Sequence, residues 1–196
     1  SPLDGIRRKL GNSATIRYAA GARMEGDVTP VESSALRPSR VAKEFGLKGE
    51  YFNNPTLSGT PVLTRTDPQI DFDWEGNPPA EGMPADGFSV RWTGKLVPSK
   101  TARYELSVRS DDGMRLYIDD SLLIDHWSDH AAETRTITRS LTAGEAYDLR
   151  VEYYENGGAA VAQFGWGTDD ARLLKQAVDA AAASEAAIVV VGNSAA

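Results

Sequence analysis

Apolar residues recur at every second position through the middle of this chain. Ile70, Phe72 and Trp74 alternate with acidic residues, and Phe88, Val90 and Trp92 alternate with Ser89 and Arg91. Tyr104, Leu106 and Val108 continue the pattern, followed by Met114, Leu116 and Ile118, then Tyr147, Leu149, Val151 and Tyr153, then Ala160, Ala162, Phe164 and Trp166. Each set is one face of a half-buried strand, because successive side chains leave a strand on opposite sides. Turn-forming residues separate the sets: Asn77-Pro78-Pro79, Pro98-Ser99, Asp119-Asp120, Ala143-Gly144 and Asn156-Gly157-Gly158. Six or more short strands at this spacing predict an antiparallel β-sandwich or barrel between about Gly49 and Gly167.

The ends obey a different rule. Ser1 to Gly11 reads as a helix: Ser1 caps, Pro2 suits the first turn, Leu3, Ile6 and Leu10 share a face, and Gly11 stops it. A short strand is predicted at Thr15–Ala19, and Gly21–Ser39 reads as a linker without apolar periodicity. Beyond Gly167, Thr168-Asp169-Asp170 offers a helix cap, and Leu173, Leu174, Ala177, Val178, Ala181 and Ala182 form a helical stripe over Asp170–Glu185. Ala186–Val191 is continuously apolar, as in a parallel strand buried on both faces. The fold expected is therefore mainly β, an antiparallel sandwich or barrel inserted in a partial α/β (parallel sheet) host domain.

Composition narrows the chemistry. Of 196 residues, 21 are basic and 28 acidic, a net charge of −7 without a basic stripe, so nucleic acid is not expected as a partner. The longest apolar run, Ala186–Val191, is too short for a bilayer, so no membrane partner is expected either. With no cysteine, disulfides, thiolate zinc sites and cysteine nucleophiles are excluded, while the compartment stays open.

Longer motifs carry a resemblance. Tyr51-Phe52, Ile70-Asp71-Phe72-Asp73-Trp74, Phe88-Ser89-Val90-Arg91-Trp92-Thr93-Gly94, Tyr104-Glu105-Leu106 and the run Ser110 to Asp119 resemble a PA14 domain. The flanks, Pro2 to Ile6, Ile16 to Gly21 and Ala177 to Gly192, resemble the α/β domain of a family 3 glycoside hydrolase, many of whose β-glucosidases carry a PA14 insertion. The resemblance implies partial host domain plus linker at residues 1–40, PA14 at 45–168, and a helix and strand returning to the host at 169–196. It implies a carbohydrate-related accessory module of an enzyme that hydrolyses terminal β-D-glucosyl residues, with β-linked glucosides or oligosaccharides and the remainder of the parent enzyme as partners. The family's nucleophile lies on a separate barrel and its acid/base after the Val-Val-Gly strand, so no catalytic residue is expected within this chain. The alternatives are a free-standing calcium-dependent lectin-like module and a structural or oligomerisation insert.

Three places are candidates for chemistry. Asp111-Asp112-Gly113 is either a polar turn bonded to its own backbone or a pair of oxygen ligands for a hard cation. Lectin-like PA14 domains bind calcium through two such Asp residues joined by a cis peptide, which makes Asp111 and Asp112 the metal candidates; no other cofactor is expected. The stretch Leu123 to His130 sets Trp127 among Asp125, His126 and Asp129, a content suited to a sugar, although packing of Trp127 on the sandwich is the plainer reading. His126 and His130 are four apart, which presents both to one metal only on a helix, so zinc is not expected. Trp74 opens a long loop to Gly87, and long loops at sandwich ends are where binding concentrates. Trp92 and Trp166 are expected in the core, one of Tyr153 and Tyr154 on the exposed face, and Arg91 and Arg115 outward in ion pairs.

Overall fold

The computed structural model describes residues 1–21, 28–168 and 171–190. The chain divides into two compact units, residues 26–168 and the two flanks 1–25 with 169–196.

The larger unit holds eleven strands among its described residues, six of which take up the alternating segments. They are β1 (Leu36–Arg37), β2 (Leu47–Phe52), β3 (Leu63–Asp67), β4 (Asp71–Asp73), β5 (Phe88–Leu96), β6 (Ala102–Asp111), β7 (Met114–Ile118), β8 (Ser121–His126), β9 (Glu133–Leu141), β10 (Tyr147–Glu155) and β11 (Val161–Thr168). Among the described residues they form two antiparallel sheets. One has the order β3-β2-β5-β10-β7-β8, with β1 also pairing β5; the other has the order β4-β11-β6-β9. The predicted sandwich is the observed fold.

The apolar faces meet between the sheets. Val90, Trp92, Leu116, Val151 and Tyr153 come from the first and Leu106, Val108, Ala162 and Phe164 from the second, each at most 1% exposed. One buried carboxylate in this core is fully supplied with donors. Asp67, 3% exposed, accepts hydrogen bonds from Tyr51 Oη (2.6 Å), Trp92 Nε1 (2.7 Å) and Arg65 Nε (2.6 Å). A buried carboxylate without such donors would cost several kcal/mol.

On the outer face of the first sheet, register puts Glu50, Arg91, Glu152, Arg115 and Asp125 side by side on five neighbouring strands. Their signs alternate, and adjacent members lie 3.7, 3.8, 3.4 and 3.2 Å apart. The outward ion pairs expected for Arg91 and Arg115 are this row.

Residues 28–37, expected as linker, are instead part of the sandwich. Pro30 bridges Gly165, the Val31 amide donates to the Phe164 carbonyl, and β1 pairs β5 through Leu36 and Leu96. Val31, Ala35 and Leu36 are buried at 1%, 3% and 0% exposure. Only three apolar side chains are needed to seat this strap, too few to give a period. Gly165 makes room for it, since a methyl group there would collide with the Thr29 carbonyl. The part of the linker at residues 22–27 lies outside the described residues.

In the flanking unit, α1 (Pro2–Leu10) has the expected Ser1 cap, with Ser1 and Asp4 completing a reciprocal capping box, and it ends at Gly11 with φ 52°. Helix α2 (Ala171–Ala182) falls within the predicted helix, and Leu174 and Val178 on its stripe are exposed. The proposed cap at Asp169-Asp170 lies outside the described residues. The strands predicted at Thr15–Ala19 and Ala186–Val191 are corrected: residues 15–19 and 186–190 carry no ladder, and Val191 lies outside the described residues. A parallel strand exists only beside neighbours that complete its hydrogen bonds. Tyr18, Ile188, Val189 and Val190 are accordingly exposed.

Candidate functional site

Three connections converge at one end of the sandwich: the β6–β7 turn with Asp111-Asp112-Gly113, the β8–β9 loop at 127–132, and the end of β10 running through Glu155 into Asn156. The Asp111–Asp112 peptide is cis. The Asp112 carboxylate joins the three: Oδ1 accepts from the His130 amide at 3.0 Å and Oδ2 from the Asn156 amide at 2.9 Å. Asp129 closes the rim, its Oδ1 accepting from Tyr154 Oη (2.7 Å) and its Oδ2 from Asn156 Nδ2 (2.8 Å). Tyr154 lies over Gly113, where a methyl group would run into its ring.

Asp111, Asp112 and Glu155 each bring a carboxylate oxygen to within 4.8 Å of the others. They are 9%, 5% and 0% exposed, and among the described residues none of them forms an ion pair. Burial, and then the charge of Asp112, raises the Asp111 carboxyl above its ordinary range. Burial pushes Glu155 up to about 7, with Asp112, Asp111 and Asp86 adding to it and the Tyr153 hydrogen bond opposing it. Tyr153 Oη touches both the Asp111 carbonyl oxygen and Glu155 Oε2, yet it has one hydrogen to give. Glu155 Oε1 is buried and has no hydrogen-bond partner among the described residues. Such a corner calls for a proton or a cation between its carboxylates.

The donor set fits a hard divalent ion. Calcium takes about six to eight oxygen ligands; Asp111, Asp112 and Glu155 offer carboxylate oxygens with lone pairs to spare. Bound calcium would supply a fixed positive charge with coordination positions that sugar hydroxyls can fill.

The residues singled out in the sequence divide into three groups. Asp111, Asp112 and Asp129 meet here, with Trp127 behind them: its ring lies edge-on to Tyr154 at 4.7 Å and under the Arg115 guanidinium at 4.0 Å. Asp125 faces outward and pairs with Arg115, while His126 lies beside His130, Glu133 and Arg135. Trp74 is half-buried and packs against the core. It stacks on Phe72 at 4.9 Å and lies against Phe88 and Tyr153 at 5.5 and 5.8 Å. Tyr153 and Tyr154 are both buried, because the 127–132 loop covers the face on which Tyr154 emerges. Trp92 and Trp166 are in the core as expected. Glu155 escaped notice in the sequence because strand alternation breaks at the end of β10, where residues 151–155 are all buried.

Comparison with known proteins agrees with this architecture. Residues 43–176 match the PA14 domain. The chain is 42% identical over 121 residues to the anti-sigma-I factor RsgI3 of Acetivibrio thermocellus, covering 62% of this chain and 19% of that protein. It is 26% identical over 166 residues to a β-glucosidase of Rhizobium radiobacter, covering 78% of this chain and 18% of the relative. The chain thus spans about a fifth of either curated relative. The crystal structure of a β-glucosidase from Kluyveromyces marxianus superposes with a TM-score of 0.66 at 25% identity, over 93% of this chain and 24% of that one. A family match over about two thirds of the sequence, on strands and loops arranged as described, places this chain in the PA14 domain family.

Proposed function

We propose that the sandwich is a carbohydrate-binding module whose sugar site is the corner of Asp111, Asp112 and Glu155, rimmed by Asp129 and Asn156, and that it works as an accessory module of a family 3 β-glucosidase. The observation that carries the sugar site is the buried three-carboxylate corner with its partnerless Glu155 oxygen. Calcium held there would meet sugar hydroxyls, and Asp129 and Asn156 would add directional hydrogen bonds. The β-glucosidase setting is supported by the reach of the similarity. Coverage of 93% of this chain extends well into the flanks, beyond residues 43–176. Residues 1–21 and 171–190 then belong to an α/β host domain, and the exposed Ile188, Val189 and Val190 await its neighbouring strands. In that setting the module selects among β-linked glucosides by filling or blocking positions beyond the scissile bond, and the bond is cut by groups outside this chain.

Titration of the chelator-treated chain with glucose and β-linked gluco-oligosaccharides, with and without calcium, tests the sugar site. Binding is expected only with calcium and is expected to disappear in Asp112→Asn; equal binding without calcium would refute it. Removing residues 26–168 from a β-glucosidase that contains them tests the setting. Altered chain-length preference with retained turnover is expected, whereas unchanged preference together with lost glycan adhesion favours a module acting for itself. The similarity to RsgI3, an anti-sigma factor by name, favours that second reading in one respect: its 121 aligned residues number no more than the PA14 segment holds.

A further inference from the structure

A second cluster lies on the same loop and has different chemistry. His126 ends β8 in the first sheet, Glu133 begins β9 in the second, and His130 sits on the connection between them. The loop brings the imidazole rings together without a helix: their centroids are 3.7 Å apart and their planes 13° from parallel.

The hydrogen bonds say which nitrogen is free. His130 Nδ1 lies 2.9 Å from the Ala131 carbonyl oxygen, a contact that is bonding only if Nδ1 carries the proton. The neutral form of that tautomer has a bare lone pair on His130 Nε2, which is buried and has no partner among the described residues. A backbone carbonyl fixing one ring nitrogen so that the other ligates is the usual support of a metal-bound histidine. His126 Nδ1 is likewise buried and unpartnered. Glu133 Oε1 is engaged by Arg135 at 2.8 Å, while Glu133 Oε2 faces His126 Nε2 at 3.5 Å. One ligand-capable atom from each of His126, His130 and Glu133 lies within 4.8 Å of the other two.

We propose that His126, His130 and Glu133 form a binding site for a borderline divalent transition metal of the zinc type. Imidazole nitrogen favours zinc, copper and nickel over calcium, so this site and the all-oxygen corner are chemically separate. Two histidines and a carboxylate are three ligands, with a fourth position left for water or another group. Parallel rings must turn to share an ion, and rotation about the Cβ–Cγ bond of histidine is soft. Arg135 Nη2, 3.4 Å from His126 Nε2, can only donate, so in that contact His126 carries its proton on Nδ1 and an ion must displace Arg135 to take Nε2; the Arg135 charge is held by Glu133. An ion here would tie the end of one sheet to the start of the other. It would brace the loop whose His130 amide supports Asp112, without requiring that Asp112 bind anything else.

Calorimetry of the full chelator-treated chain with zinc, together with its melting temperature, tests this. One zinc per chain is expected, with a rise in melting temperature, no competition from calcium, and a change in the His130 Nε2 resonance in nitrogen-15 spectra. His130→Ala and the milder His126→Gln are expected to weaken zinc at least about tenfold while near-ultraviolet circular dichroism stays native. No zinc heat, or undiminished affinity in both folded histidine variants, would each overturn the site. Because the sugar experiment reads calcium at the Asp112 variant and this one reads zinc at the histidine variants, either reading can fail while the other stands.

Discussion

Glu155 shows how one residue can carry a site that no motif announces. Its folded-state value of about 7 lies above the ordinary 4.5, so the folded chain keeps a proton that the unfolded chain has released. In the metal-free protein, stability therefore falls as pH rises from about 4.5 to about 7 and is level beyond that. Calorimetric melting across this interval is expected to show the decline, and Glu155→Gln to flatten it; an unchanged slope in the variant would mean that Glu155 titrates normally. Asp111 and Asp112 were legible because adjacent acids before a glycine are conspicuous. Glu155 was not, because its burial depends on loops from β6 and β8 that no local pattern along β10 encodes. Trp74 shows the converse. Its place at the mouth of a long loop is legible in the sequence, whereas its packing on Phe72 and Tyr153 is visible only in the fold.

At the scale of elements, the period of two located β5, β6, β7, β10 and β11, since half-buried strands advertise themselves in sequence. It missed β9, whose alternation runs through Thr, Arg and Ser with Ile137 and Leu141 its only apolar residues, and it missed elements held by tertiary contact alone. The strap at 28–37 contains Pro30, stops before Pro38 and buries single side chains instead of a face. Leu36, fully buried, tests its weight: Leu36→Ala is expected to cost about 2–5 kcal/mol, the range for a large-to-small change in a core. Urea unfolding measures this, and a loss near zero would restore the linker reading. Strands at 15–19 and 186–191 failed in the opposite sense: their composition suits a sheet, and neighbours that would complete one are lacking among the described residues.

At the scale of the whole molecule, the larger unit owns its core, so residues 26–168 alone are expected to unfold in one cooperative step at the urea midpoint of the same transition in the full chain. A broad, non-cooperative transition would show that the flanks are needed for the fold. The bridge between Pro30 and Gly165, flanked by Val31 to Phe164 and Thr29 to Trp166 bonds, also fixes where the sandwich begins and ends. Trp166 Nε1 adds a hydrogen bond to Glu32 at 2.9 Å. The ingoing and outgoing chains are therefore fastened side by side, and the entropy of closing so long an excursion is offset inside the module. Any protein receiving it meets a gap no wider than a hairpin. Tension across that gap would peel the fastening rung by rung before it loaded the strands behind, leaving the carboxylate and histidine clusters intact while the tether lengthens.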